Sequence, residues 1–127
     1  MKKLSAVLLV ALVVLLSVAW CVEHSEISES QFQTYRELKE SELISLGWVP
    51  AFIPKSAYDI HERHRVDVSD VSVVFRYQPG DTEDIEASCT VLKGEGGGTK
   101  SYRCRHGDGV VVVMLSGDGK GEIRSEQ

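Results

Sequence analysis

Leu46-Gly47-Trp48-Val49-Pro50-Ala51-Phe52-Ile53-Pro54-Lys55-Ser56-Ala57-Tyr58-Asp59-Ile60-His61-Glu62-Arg63-His64 is the stretch whose reading decides the fold. A helical pattern precedes it, and Gly47 directly after that pattern is placed to take the left-handed conformation that closes a helix. Pro50 lacks a backbone N–H and has a fixed φ, so the helix cannot continue and the chain must turn. Trp48, Phe52 and Ile53 are too apolar to stay in water around the rigid Pro50 and Pro54. The stretch therefore reads as an elbow folded against a core, each large side chain contributing about 1.5–3 kcal/mol on full burial. It is a structural signature with no chemistry attached.

On its N-terminal side, Ser28 with Gln31 has the form of a capping box, and Phe32, Tyr35, Leu38, Leu43 and Leu46 fall on one side of a helix. A first helix is predicted from about Glu29 to Leu46. Arg36, Glu37, Lys39, Glu40 and Glu42 occupy its other faces as a solvated surface. Residues 22–28 are polar and charged and read as a short tether.

Residues 1–21 have the makeup of an export leader: Lys2-Lys3, then Leu4 to Leu16, nearly all Leu, Val and Ala. Three outcomes compete at Ser17-Val18-Ala19-Trp20-Cys21. Ser17 and Ala19 fit the small-x-small rule for cleavage before Trp20. Cys21 after an apolar run resembles a lipoprotein junction and would carry the lipid anchor, although Trp20 stands where such junctions take a small residue. Without cleavage, Leu4 to Trp20 is a short membrane span with an aromatic residue at its outer boundary. Span length and Cys21 both favour retention at the membrane. In each case the lysines stay inside and residues 29–127 form a single domain facing the periplasm or the cell exterior.

Composition excludes other classes. With 43% hydrophobic and 26% charged residues and three prolines, the chain is neither disordered nor of low complexity. Lys2 and Lys3 belong to the leader, which leaves 12 basic against 19 acidic residues, or −7, for residues 22–127. That balance argues against nucleic acid and anionic lipid surfaces as partners, since both are bound by clustered Lys and Arg. If Cys21 is lipidated or sits at the membrane, Cys89 and Cys104 remain as an even pair. In an oxidising compartment a bond between them would be worth about 3 kcal/mol. Two separately buried free cysteines are the alternative.

After the elbow, Tyr58, Ile60, His64 and Val66 share one face of an extended segment, and Val71, Val73, Phe75 and Tyr77 alternate in the same way. Asp67-Val68-Ser69-Asp70 has turn chemistry, so a hairpin is predicted, with a helix over Ala57 to His64 as the competing reading. Gln78-Pro79-Gly80-Asp81 is a loop, and Asp81 or Thr82 caps a second helix in which Ile85, Cys89 and Leu92 share the buried face, ending near Lys93-Gly94. Gly94 to Gly98 reads as a flexible connector. Ser101 to His106, Val110 to Leu115 and Glu122 to Arg124, joined by Gly107-Asp108-Gly109 and Gly117-Asp118-Gly119, describe a three-strand meander. Val110 to Val113 lacks a polar face and belongs in a central strand, whereas the last residues read as a weak edge strand or tail. The fold class is α+β: helix, hairpin, helix and meander, with two helices packed on a mostly antiparallel sheet behind an N-terminal hydrophobic segment.

Candidate chemistry is sparse. His61 and His64, near Asp59, Asp67 and Asp70, form the one cluster resembling metal ligands, but a His-x-x-His pair on a strand points to opposite faces. Solvated histidines on a charged hairpin are the plainer reading. Gly94 to Lys100 lacks the phosphate-loop pattern, and Asp108 and Asp118 between glycines lack EF-hand spacing. Ser56, Ser88 and Ser116 have no nucleophile-elbow context, and Glu83 with Asp84 suits a helix start. Arg103 and Arg105 share a strand face, with Lys100 and Arg76 near, as a small basic patch. No catalytic residue and no cofactor is expected.

The motif Gly47-Trp48-x-Pro50, then Pro54-x-Ser56-Ala57-x-x-Ile60-His61-Glu62, leading to Asp67 and a strand with Phe75, resembles that of small exported or membrane-anchored bacterial proteins, the YbbD-type head domain. Trp48, Pro50, Pro54 and Ile60 carry the likeness, which covers about a third of the chain. It implies an extracytoplasmic α+β domain and brings no catalytic residues. Trp20 before Cys21 departs from the lipoprotein form that such proteins often take. The functional expectation is a membrane-anchored, non-enzymatic interaction module contacting the membrane through its N-terminal segment and an envelope protein through its domain. The alternative is a small-ligand or metal-binding protein using the His61/His64 hairpin.

Overall fold

The computed structural model describes residues 1–25, 27–92 and 97–126. Helix α1 (Lys2–Ser25) leads into strand β1 (Ile27–Thr34), helix α2 (Tyr35–Glu40), the elbow, and the hairpin of β2 (Tyr58–Arg65) and β3 (Asp70–Arg76). Helix α3 (Glu83–Ser88), β4 (Cys89–Val91), β5 (Thr99–His106), β6 (Gly109–Ser116) and β7 (Lys120–Ser125) follow. The strands form one sheet in the order β1-β2-β3-β7-β6-β5-β4, with every pair antiparallel. The α+β class, the antiparallel sheet and the apolar N-terminal helix stand as expected.

Helix α1 is long and apolar enough to cross a membrane, and none of that span is buried against the domain. A signal sequence has the same makeup, so α1 is a membrane anchor or a signal. Cys21 is exposed on it as a free thiol.

Two corrections concern the segment that follows. The predicted tether over residues 22–28 is taken up by the end of α1 and the start of β1, and the predicted helix from Glu29 to Leu46 is strand as far as Thr34. Ile27 to Thr34 pairs along its length with β2, Ser28 opposite His64 and Phe32 opposite Ile60. Its inward residues are Ser28, Ser30 and Phe32, a mostly polar face that does not announce a strand. The working N-cap is Thr34, whose Oγ1 accepts the Glu37 N–H at 3.3 Å, while the Glu37 carboxylate accepts the Gln33 N–H at 2.7 Å. Thr34-x-x-Glu37 was the usable capping signal. Between α2 and the elbow the chain runs through turns that Gly47 closes in the left-handed region, at φ +83°.

The elbow packs as expected. Val49, Pro50, Phe52, Ile53, Pro54 and Ala57 are buried, and Trp48 is half-buried. Each inner proline heads a turn, its carbonyl accepting from Ile53 and Ala57 respectively. Ser56 binds the next loop: its N–H donates to Asp81 Oδ2 at 3.0 Å and its Oγ accepts the Gln78 N–H. Asp81 is thereby drawn away from capping α3.

The hairpin and meander form close to the predicted positions. A register irregularity between Tyr58 and His61, with Asp59 at φ +48°, turns Tyr58 outward, and Val66 falls in the turn, so neither shares the buried face with Ile60 and His64. Helix α3 stops at Ser88 and does not reach Lys93, because Cys89 starts a strand paired with β5 and is bonded to Cys104 directly opposite. Leu92 consequently leaves the helix face and its N–H donates to Ser101 O. The predicted helix end at Lys93-Gly94 and the connector's Gly94 to Gly96 lie outside the described residues.

The largest departure is β7, which is an interior strand. It pairs with β3 on one side and β6 on the other and joins the hairpin to the meander. One row of directly opposed residues, Val73, Ile123, Val113 and Tyr102, crosses that junction and is fully buried. Leu38 of α2, Ile85 of α3 and the elbow complete the same core.

Candidate functional site

Strand β2 places two polar side chains where its alternation demands apolar ones. Ile60, Glu62 and His64 face inward, with Glu62 2% and His64 6% exposed. Isolated buried charge is costly, and the pair lowers that cost by bonding internally: His64 Nδ1 lies 2.6 Å from Glu62 Oε1. The outer face of the imidazole is covered by Trp48, with ring centroids 4.1 Å apart and planes at 20°. The elbow's tryptophan is thus anchored by a hydrogen-bonded imidazole and carboxyl.

Glu62 Oε2 has no partner among the described residues. Burial pushes the Glu62 carboxyl above its ordinary value, and the His64 hydrogen bond and charge pull it down by less. The two groups share one short hydrogen bond, Oε1 to Nδ1, beneath the Trp48 stack.

In front of Trp48, where the turn before the elbow, the β2–β3 turn, the β5–β6 turn and the end of β7 meet, a cleft of about 360 Å³ opens. Trp48, Val71 and Val111 give it apolar wall, and Asp70, Asp108 and Glu126 give it acidic rim. Ser125, also lining it, is tied to the sheet by accepting the Val71 N–H at 2.9 Å. The size is within the ordinary range for small-ligand sites.

The predicted site residues disperse. His61 points outward: its Nδ1 accepts from the Gln31 amide at 2.8 Å, and its Nε2 donates to Asp59 Oδ1 at 3.2 Å. His64 points inward, so the strand separates the two rings as its geometry requires. The reading of His64 as solvated is overturned, because Trp48 and Glu62 enclose it. Among the described residues no group of three or more His, Cys, Asp or Glu side chains is arranged to hold a metal ion. Asp67 is bound by Arg65 in a two-point contact of 2.7 and 3.1 Å. Arg103 is held by Glu126, and Arg76 lies 4.0 Å from Asp59. Those arginines therefore face carboxylates already at hand, which weakens the basic-patch reading.

Trp48, Pro50, Pro54 and Ile60 all join one elbow-and-strand unit. What the sequence missed is that Glu62 and His64 are buried together, and that Asp70 at the start of β3, Asp108 in the β5–β6 turn and Glu126 just after β7 meet as an acidic rim. The signal available was the polar Glu62 and His64 in phase with Ile60 on a strand, at positions that alternation assigns to the core.

No curated protein and no solved structure matches the chain. Residues 26–76, running from the N-terminal edge of β1 to the end of β3 and holding Trp48, Glu62 and His64, match the family model of the YbbD head domain, the family that the Gly47-to-Glu62 motif resembles.

Proposed function

We propose that this chain is a membrane-tethered domain working outside the cytoplasm as a binding module, with the cleft in front of Trp48 as its contact site. The observation that carries the reading is Trp48 itself. A large aromatic side chain is held half-exposed in a cleft wall by stacking on a buried, internally bonded imidazole, which suits recognition by a preformed surface. The Cys89–Cys104 bridge supports an oxidising compartment, and the lysine-led apolar α1 supports export or anchoring. The cleft's Ser125 is engaged with backbone, which favours binding over nucleophilic chemistry.

The test has two arms. A cysteine introduced at the exposed Asp108 should react with a membrane-impermeant maleimide in intact cells; reaction only after lysis would place the domain inside and end the reading. A photo-crosslinker replacing Leu46, which is exposed at the cleft, should capture a partner that one at Val74 on the opposite sheet face does not, and Trp48→Ala should abolish the capture. Equal capture from both positions would remove the cleft from consideration. A second reading, a small-molecule ligand in the same cleft, is favoured by its volume and would appear as ligand carried through purification and lost in Trp48→Ala.

A further inference from the structure

We infer that the cleft accepts an arginine or lysine side chain presented by a partner polypeptide. The inference rests on reading the cleft as the contact site and adds the chemistry of what enters it. Trp48 supplies an indole, the aromatic group that attracts cations most strongly, and it lines the cleft while stacking on His64. Asp70 at the start of β3 and Asp108 in the β5–β6 turn line the same cleft, while no lysine or arginine lines it among the described residues.

The cations nearby are committed elsewhere. Arg65, cross-strand from Asp70, grips Asp67 in the two-point contact, and Arg103 holds Glu126 at 2.5 Å. Glu126 is therefore offset, whereas Asp70 and Asp108 have no ion-pair partner among the described residues. The apolar floor of Val71, Val110 and Val111 suits the methylene stem of a long basic side chain whose charged head reaches the two aspartates. The net −7 over residues 22–127 raises the local concentration of basic segments and speeds their encounter.

Trp20 and Trp48 are the chain's two tryptophans, so a full-length Trp20→Phe protein in uncharged detergent micelles reports on Trp48 alone. The probes are a short peptide carrying two arginines, its twin with neutral citrulline at both positions, and spermidine. Trp48 emission should respond saturably to the arginine peptide and not to the citrulline twin. Asp70→Asn with Asp108→Asn should weaken that response by roughly fivefold or more. Glu83→Gln with Asp84→Asn, an equal charge loss on exposed α3, should leave it unchanged; circular dichroism checks that both double variants stay folded.

Equal binding of the citrulline twin, or equal weakening by the α3 variant, overturns the inference, and so does a response to spermidine without one to the peptide. If Leu46 crosslinking still captures a partner that Trp48→Ala loses while the arginine peptide gives no response, the cleft remains the contact site and the cationic occupant alone is refuted.

Discussion

The imidazole of His64 lies flat against the indole of Trp48, 4.1 Å between centroids, so the elbow and the hairpin meet through two rings from residues sixteen apart in the chain. Glu62 holds the same imidazole by its edge, Oε1 lying 2.6 Å from Nδ1. The sheet thus spends two core positions on polar groups, and what it gains is a fixed tryptophan at a cleft.

The Glu62 carboxyl is held above its ordinary value by burial, which outweighs the lowering effect of His64. The folded state then binds this proton more tightly than the unfolded chain does. The group's contribution is fully present below the unfolded value of 4.5 and is lost as pH rises through the raised folded value. Urea midpoints across that range should show wild type losing stability relative to Glu62→Gln as pH increases. Parallel curves for the two proteins would contradict the assignment.

Cys89 and Cys104 are 15 residues apart and directly opposed across β4 and β5. Replacing both with serine should cost about 3 kcal/mol by releasing the unfolded chain from a closed loop. Reductant should shift the wild-type urea midpoint by a similar amount and leave the double variant unmoved. A wild type indifferent to reductant would show that the bond is not formed in solution.

Gly121 lies directly opposite Phe75, whose ring occupies the space that a Cβ at 121 would need. Gly121→Ala should destabilise by about 1–3 kcal/mol, because a ring buried in the β3–β7 junction cannot move without repacking its neighbours. Phe75→Leu should cost less in the alanine background than alone, a coupling of at least about 0.5 kcal/mol in a double-mutant cycle. Strict additivity would mean that the ring does not constrain position 121.

On the proposed reading α1 stays in the membrane. Leu12→Arg near its middle should then cost about 2.5–3.5 kcal/mol of insertion free energy and move protein from the carbonate-resistant membrane fraction to the supernatant. Mass spectrometry of the mature N-terminus reads the same question directly: a chain beginning at Trp20 would show cleavage and end the anchored reading.

Much of the fold was legible because the signals were local. The β2–β3 hairpin and the meander announce themselves through alternation and turn residues, and the elbow through Gly47, Pro50 and Pro54. Strand β1 was hidden because its inward face is Ser28, Ser30 and Phe32 at a sheet edge, where pairing with β2 and not hydrophobicity makes the strand. Helix α3 was read too long because Ile85, Cys89 and Leu92 keep helical spacing, while the bridge to Cys104 and the pairing with β5 pull Cys89 into a strand. The cleft was invisible since Trp48, Asp70, Asp108 and Glu126 share no local pattern.

The sequence by itself determined an acidic α+β domain behind an apolar leader, with a tryptophan-proline elbow packed on its core, because periodicity, turn chemistry and charge act over a few residues. Only the tertiary structure decided that β7 lies between β3 and β6, that Glu62 and His64 are buried together, and that Trp48 faces a cleft. Those outcomes depend on which distant strands pair, and no spacing along one strand encodes the partner it will meet across the sheet.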